Sequence, residues 1–264
     1  MKKLLVVIGA AFTLLSCDKE AVVEPQQSLV IAKNAVVKSQ QSLVNTSVNA
    51  DSKAAKASNQ EFQTLIRKWN EWIFKIDIEV SPFFDTIGNL QYLAQPYASG
   101  VFMLAPGVSP DPVDRIVTIS LRQYQYVFIP LVGTVFIYSP CDPNSGRQGN
   151  QTLESLFIRT IKEPLNGPAE LTLKLDGVSI LPKNQNDLRA NSGAWSFAVH
   201  PFWTIPCAEA ATAYADGYWA KVPLTIGTHT LLVGGEIEGA KLDIEQKGKS
   251  SFSSMISYTL IVEE

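Results

Sequence analysis

Residues 216–235, DGYWAKVPLTIGTHTLLVGG, constrain the fold more than any other stretch, because two apolar runs flank a Gly-containing break. Val222, Leu224, Leu231 and Val233 supply buried faces on either side of Gly227, and the Thr-Ile-Gly-Thr segment reads as a turn. The stretch is therefore expected to be a hairpin at the heart of a sheet. Further strands are expected at 113–120, at 125–138 with Gly133 as a bend, at 169–175 and at 178–181, the last two joined by an Asp176-Gly177 turn. Leu171, Leu173 and Leu175 alternate with Thr172 and Lys174, and Ile256, Tyr258, Leu260 and Val262 alternate along a final strand at 252–262. Such alternation marks strands with one buried face. The expected class is all-β: an antiparallel β-sandwich, Ig-like or jelly-roll-like, with aromatic-rich flanks packed around the hairpin as its two layers.

Two helices interrupt the strand pattern. Phe62, Leu65, Ile66, Trp69, Trp72, Ile73 and Ile76 fall on one stripe of a helix expected over 59–75, and Ser58 with Glu61 has the spacing of a capping box. The tryptophans of that stripe read as core. Leu153, Leu156, Phe157 and Ile161 recur at helical spacing and predict a short surface helix within 152–163. One domain, 59–264, is long enough for a single sizeable core.

The first residues belong to a different kind of segment. Lys2 and Lys3 precede an apolar run from Leu4 to Leu15, which ends in Leu14-Leu15-Ser16-Cys17. A spanning helix needs about 20 apolar residues, and here Asp18, Lys19 and Glu20 follow at once. The arrangement resembles a bacterial lipoprotein signal, which implies removal of residues 1–16, acylation of Cys17 and retention by acyl chains at ~0.8 kcal/mol per buried methylene. An ordinary secretory signal is the alternative. Asp18-Lys19-Glu20 also looks like the acidic export tag of some surface lipoproteins, so the expected address is the outer membrane or cell surface. Residues 17–58 read as a lipid-anchored tether; 22–35 and 36–50 repeat Val-Val and Gln-Gln-Ser-Leu-Val at a 14-residue offset, and Pro25 argues against a coiled coil. As a random coil its ~40 residues would span on the order of 35 Å. Cys141 and Cys207 then remain as an even pair outside the cytosol and predict a disulfide, the alternative being two buried thiols. With 25 acidic against 22 basic residues the chain has no basic footprint for nucleic acid.

A longer pattern runs from about Leu65 to Val262: a Trp-bearing helix, Ser-Pro-x-x-Asp-Thr-x-Gly at 81–88, Gln95, a Val-Phe-x-Leu-Ala strand at 101–105, Phe-Ile-Pro-Leu at 128–131, Leu-Asp-Gly-Val at 175–178, and Asp-Gly-Tyr-Trp at 216–219 followed by Pro-Leu-x-x-Gly-x-His-Thr at 223–230. It resembles an uncharacterised family of secreted bacterial proteins and lipoproteins. Two departures stand out: Ser-Leu-Arg-Gln-Tyr-Gln-Tyr-Val after Arg115, where the family carries a Cys-Thr-x-Pro-Ala-Gly-Lys run, and no cysteine near Gln95. The family has no established activity, so the resemblance bears on the fold.

Signatures of the common hydrolases, zinc sites and phosphate-binding loops are missing from the sequence, and no cofactor or metal is predicted. His200 and His229 are the two histidines. His229 with Asp85 and Asp216 is the weak catalytic alternative, since a carboxylate orients imidazole and imidazole titrates near neutrality. The plainer reading has His229 hydrogen-bonding across a sandwich corner and His200 in a structural place. Residues 141–146, Cys-Asp-Pro-Asn-Ser-Gly, faintly resemble a calcium loop, but counted from Asp142 they lack its sixth-position glycine and twelfth-position glutamate, so they read as a turn. Glu236, Glu238, Asp243 and Glu245 alternate as the charges of a guarded strand edge do. The aromatic group Trp195, Phe197, Phe202, Trp203, Tyr214, Tyr218 and Trp219 either fills the core or offers a stacking platform. Trp203, between Pro201 and Pro206, is expected to be partly exposed, and it and Tyr214 are the candidate ligand contacts.

Three functions are thereby in play. The leading one is a non-catalytic binding domain on a cell-envelope lipoprotein, its partner a glycan or an envelope protein. The others are a hydrolase or isomerase using Asp85, His229 and Asp216, and a structural envelope component.

Overall fold

A computed structural model describes residues 5–8, 59–96, 100–107, 113–141, 149–162, 164–167, 169–203, 205, 207, 209, 211–240 and 250–264. Cys17, the tether, Ser58, residues 142–146 of the expected turn, Asp243 and Glu245 lie outside the described residues. The described residues belong to one compact unit.

In chain order the elements are β1 (Leu5–Ile8), α1 (Asn59–Phe74), β2 (Val101–Met103), β3 (Val113–Ser120), β4 (Tyr126–Tyr138), α2 (Leu153–Phe157, continued by a π turn over Ile158–Lys162), β5 (Ala169–Leu175), β6 (Val178–Ser179), β7 (Arg189–Asn191), β8 (Trp195–Ser196), β9 (Thr212–Pro223), β10 (Gly227–Ala240) and β11 (Ser250–Glu263). One sheet runs β1-β4-β9-β7, with β2 also on β4 and β8 also on β9; the other runs β3-β11-β10-β5-β6. Pairing is antiparallel except for β2 with β4 and β3 with β11. The two sheets face each other as a sandwich.

β9 and β10 do not form the expected hairpin: they lie in different sheets, and residues 224–226 are a corner between the layers. The reason lies in how many faces each strand buries. In β9, Tyr214, Tyr218, Ala220 and Val222 join the core between the sheets, while Ala213, Ala215 and Trp219 join a second core on the other face. β10 has one apolar face, with Leu231, Val233 and Ile237 turned into the sandwich. A hairpin would put both strands in one sheet, but a strand apolar on both sides needs a layer above and below. The third layer is α1, whose Phe62, Leu65, Ile66, Trp69, Trp72 and Ile73 are buried against Phe128, Val135 and Trp219.

β4 bends where Pro130 interrupts it. The register against β9 shifts between Pro130 and Val132, so Leu131 and Val132 both turn into the core between the sheets. Proline has no N–H for the ladder and is accommodated at such bulges. The expected bend at Gly133 is thus displaced toward Pro130. Gly133 instead lets two strands approach closely, since it lies opposite Gly217, where a Cβ would meet the Gly133 Cα at 2.5 Å.

Other strands fall close to their expected bounds, although the one expected at 178–181 is only the two-residue β6. Asp176 and Gly177 have φ of 51° and 79°, which suits the two left-handed positions of a tight hairpin turn. The helix expected to lie on the surface at 152–163 instead buries Leu156, Phe157 and Ile161 in the core between the sheets. Of the charges expected along an edge, Glu236 is not at one: it sits in β10, between β11 and β5, opposite Glu170.

Candidate functional site

The aromatic candidates are buried, and the expectation that Trp203 is exposed is corrected. Residues 201–203 form a single 3-10 turn, and the turn caps the end of α1. His200 N–H donates to the Phe74 carbonyl at 2.8 Å and Trp203 Nε1 donates to the Ile76 carbonyl at 2.9 Å. Carbonyls at a helix C-terminus and just past it lack intrahelical partners, so the His200 N–H satisfies one at the end of α1 and the indole N–H one two residues beyond, while the ring fills the space beside them. The Trp203 ring is 3% exposed and meets Phe74 edge-on at 4.7 Å. Pro201 opens the turn, and its third residue points inward. Tyr214 stacks on Phe157 at 5.3 Å, and burial, aided by the Asp216 charge, pushes its phenol up to about 12. Neither ring offers a sugar a free face.

Asp85, Asp216 and His229 are not brought together as the catalytic alternative requires. The Asp85 carboxylate accepts from the backbone N–H groups of Ile87, Gly88 and Leu90 and from Gln91 Nε2. Burial alone would raise its pKa, but these donors, led by Gly88 and Ile87, outweigh it and hold the carboxyl below its ordinary range. Asp216, in β9, is bonded at 3.3 Å by both Arg189 Nε and Arg189 Nη2 from β7. His229 begins β10 in the other sheet. Its Nδ1 is 2.8 Å from Asp176 Oδ2 and its Nε2 is 3.1 Å from Thr225 Oγ1 and from the Thr225 carbonyl. Asp176 Oδ1 also accepts from Thr230 N–H, so the His229–Asp176 pair ties the β5–β6 turn to the start of β10.

The most developed polar structure is one that sequence reasoning missed. Arg115, Gln91, Gln95 and Asp85 are all at least 96% buried at one end of the sandwich. Arg115 Nη1 donates to Tyr258 Oη and the Ala105 carbonyl, and Nη2 to the Phe83 carbonyl. Tyr258 Oη has one proton to give and donates it to the Ala105 carbonyl at 2.6 Å, with Gln91 Oε1 beside it at 3.2 Å. The two glutamines serve the free edge of β2: Gln95 exchanges bonds with Met103 N–H and C=O, and Gln91 Oε1 accepts from Ala105 N–H. Side-chain amides here take the place of a missing strand. Their spacing of four residues was the available signal, but it falls in an irregular segment where helical periodicity carries no weight.

The edge of β3 is covered in a related way. Ile116 N–H donates to the Ile87 carbonyl and Thr118 N–H to Tyr92 Oη. Gly88 makes the approach possible: its φ is +105°, and a Cβ would meet the Ile116 carbonyl oxygen at 2.3 Å. The side chains of Ile87, Tyr92 and Ile116 remain exposed at this corner.

Cys141 and Cys207 are joined as a disulfide with a Cα–Cα distance of 5.8 Å. Among the described residues there is no group of three or more His, Cys, Asp or Glu side chains able to hold a metal, and no helix long and apolar enough to cross a membrane. Comparison with protein-family models, curated proteins and solved structures finds no match to the chain.

Proposed function

We propose that the chain is a cell-envelope lipoprotein, held at the outer membrane or cell surface by acylated Cys17, whose non-catalytic sandwich binds an envelope protein. The observation that carries this reading is the Cys141–Cys207 bridge. Disulfides persist in compartments outside the reducing cytosol, which is where a chain led by Lys2, Lys3 and an apolar run ending at Cys17 would be sent. The non-catalytic part is supported by the separate engagements of Asp85, Asp216 and His229 in three different elements. A protein partner is favoured over a glycan because the candidate stacking rings are buried, whereas Ile87, Tyr92 and Ile116 expose apolar surface at one corner.

The 224–226 corner, which carries the chain from one sheet to the other, favours an Ig-like or jelly-roll-like sandwich. Kinship with the uncharacterised secreted family is supported by the roles of its pattern residues: Asp85 organises a loop, Gln95 caps β2, and Gly217 permits close strand approach.

The test is Cys17→Ala expressed in a Gram-negative host. The variant is expected to leave the membrane fraction, or to accumulate with its leader attached. A variant that is fully processed and still needs detergent for extraction would overturn the anchor.

A further inference from the structure

The outer edge of β4 is covered differently from the edges of β2 and β3. β2 covers it at 126–128. From Gly133 to Phe136 its partner is β1, antiparallel, with Leu5 opposite Phe136 and Ile8 opposite Gly133. The edges of β2 and β3 are closed by side chains and carbonyls of the domain itself, from Gln91, Gln95, Ile87 and Tyr92. β1 lies wholly within the leader. Cleavage before Cys17 would remove it and leave the β4 edge without its strand.

We propose that the Gly133–Phe136 edge of β4 is a strand-acceptor site, which in the processed chain takes an extended apolar strand from another protein. The proposal rests on leader removal, as proposed above. Two features define the chemistry of the occupant. The strand now seated there is Leu-Val-Val-Ile, two of whose four residues are valine, and it runs antiparallel to β4. The flanking β4 side chains are buried on both sides of the sheet: Val135 packs under α1 and Phe136 lies between the sheets. An added strand therefore continues two apolar layers at once, and alternate residues of either parity must be apolar. Such an occupant is recognised by backbone hydrogen bonds along the edge and by the absence of charge in its side chains. An apolar edge left open also invites pairing with any exposed strand, so occupation in trans meets a need that, among the described residues, only β1 meets.

The experiment uses the processed chain beginning at residue 17, with Cys17→Ser, and a lysine-flanked synthetic peptide of residues 4–9. Hydrogen exchange at residues 133–136 is followed with and without peptide, and sedimentation reports the oligomeric state. The expected result is at least a tenfold slowing of exchange confined to the β4 edge. No slowing is expected with a peptide carrying Val6→Asp and Val7→Asp. The full chain should be protected without added peptide, and full chain carrying Val6→Pro and Val7→Pro should regain the response.

Absence of slowing, or equal slowing by the aspartate peptide, would overturn the acceptor site. So would a processed chain that dimerises along this edge and excludes the peptide, since the occupant would then be a second copy. The mass of the chain recovered from the envelope tests leader removal separately. A chain still carrying residues 1–16 sinks the lipoprotein reading without touching the peptide result, and a failed peptide leaves the lipoprotein reading intact.

Discussion

Trp203 shows how a residue-scale rule is overridden by a nearby unmet need. Flanking prolines restrict the backbone, yet the carbonyls of Phe74 and Ile76 lack helical partners, and His200 N–H and the Trp203 indole supply them. Trp203→Ala should therefore lower stability by about 3–5 kcal/mol, the range for a large buried aromatic. Trp203→Phe should cost less, because it keeps much of the packing and loses mainly the bond to Ile76. Urea melts of both variants check this; a Trp203→Ala chain as stable as the parent would return the ring to the exposed candidates. Asp85 offers a second test with a definite sign. Its folded pKa is lowered from 3.8, so its charge contributes stability that is present above the ordinary carboxylate range and lost as pH falls through the lowered value. The stability gap between the parent and Asp85→Asn should be largest near neutral pH and shrink below about pH 3.8, as paired urea midpoints at pH 7 and pH 3 would show. That Asp85 sits in a turn was legible from Ser-Pro-x-x-Asp-Thr-x-Gly. That it is wrapped by four donors was not, because three are backbone N–H groups of a turn in which Gly88 takes a φ of 105° and the fourth is the Gln91 side chain folded back onto it.

At the scale of elements, strand identity was legible and strand partnership was not. Alternation of Leu171, Leu173 and Leu175, or of Ile256, Tyr258, Leu260 and Val262, marks a buried face whichever strand lies alongside. The run from 216 to 235 carried the misleading signal, since a short break between apolar runs suits a hairpin and an inter-sheet corner alike. The deciding information was that β9 is apolar on both faces, with Ala213, Ala215 and Gly217 small on the side facing α1. Gly217 makes the point testable. A Cβ there would meet the Gly133 Cα at 2.5 Å and the Val132 carbonyl at 2.6 Å, both main-chain atoms that cannot swing away. Gly217→Ala should then destabilise by about 1–3 kcal/mol or more, as overpacking does. Gly177→Asn is the matched control: it sits in the β5–β6 turn with nothing within 4 Å of a built Cβ, and asparagine tolerates its left-handed φ. Melting of the two variants should separate them clearly, and equal effects would mean that the β4–β9 contact yields more easily than its main-chain distances indicate.

The whole molecule is three layers where two were expected, because the apolar stripe of α1 and the second face of β4 and β9 need each other. The stripe is legible alone, but no local pattern says that a helix distant in sequence covers a particular sheet. The disulfide acts at this same scale. Cys141 follows β4 and Cys207 precedes β9, two strands already in register at Tyr138 and Thr212, so the bridge joins chain ends that the sheet has brought together. Its effect is thus expected mainly on the unfolded chain, where closing a 66-residue span contributes about 4 kcal/mol on the chain-entropy model. The double variant Cys141→Ser and Cys207→Ser should keep the native spectrum. Its melting temperature should fall by about 8–16 °C, at roughly 2–4 °C per kcal/mol for a domain of this size. Adding reductant to the parent chain should produce the same fall, while the double variant should not respond to it. An unchanged melting temperature in the variant would show that residual structure already holds these ends together in the unfolded chain. A lost native spectrum would show instead that the bridge holds β4 and β9 in register and is not merely a tether between strands already paired.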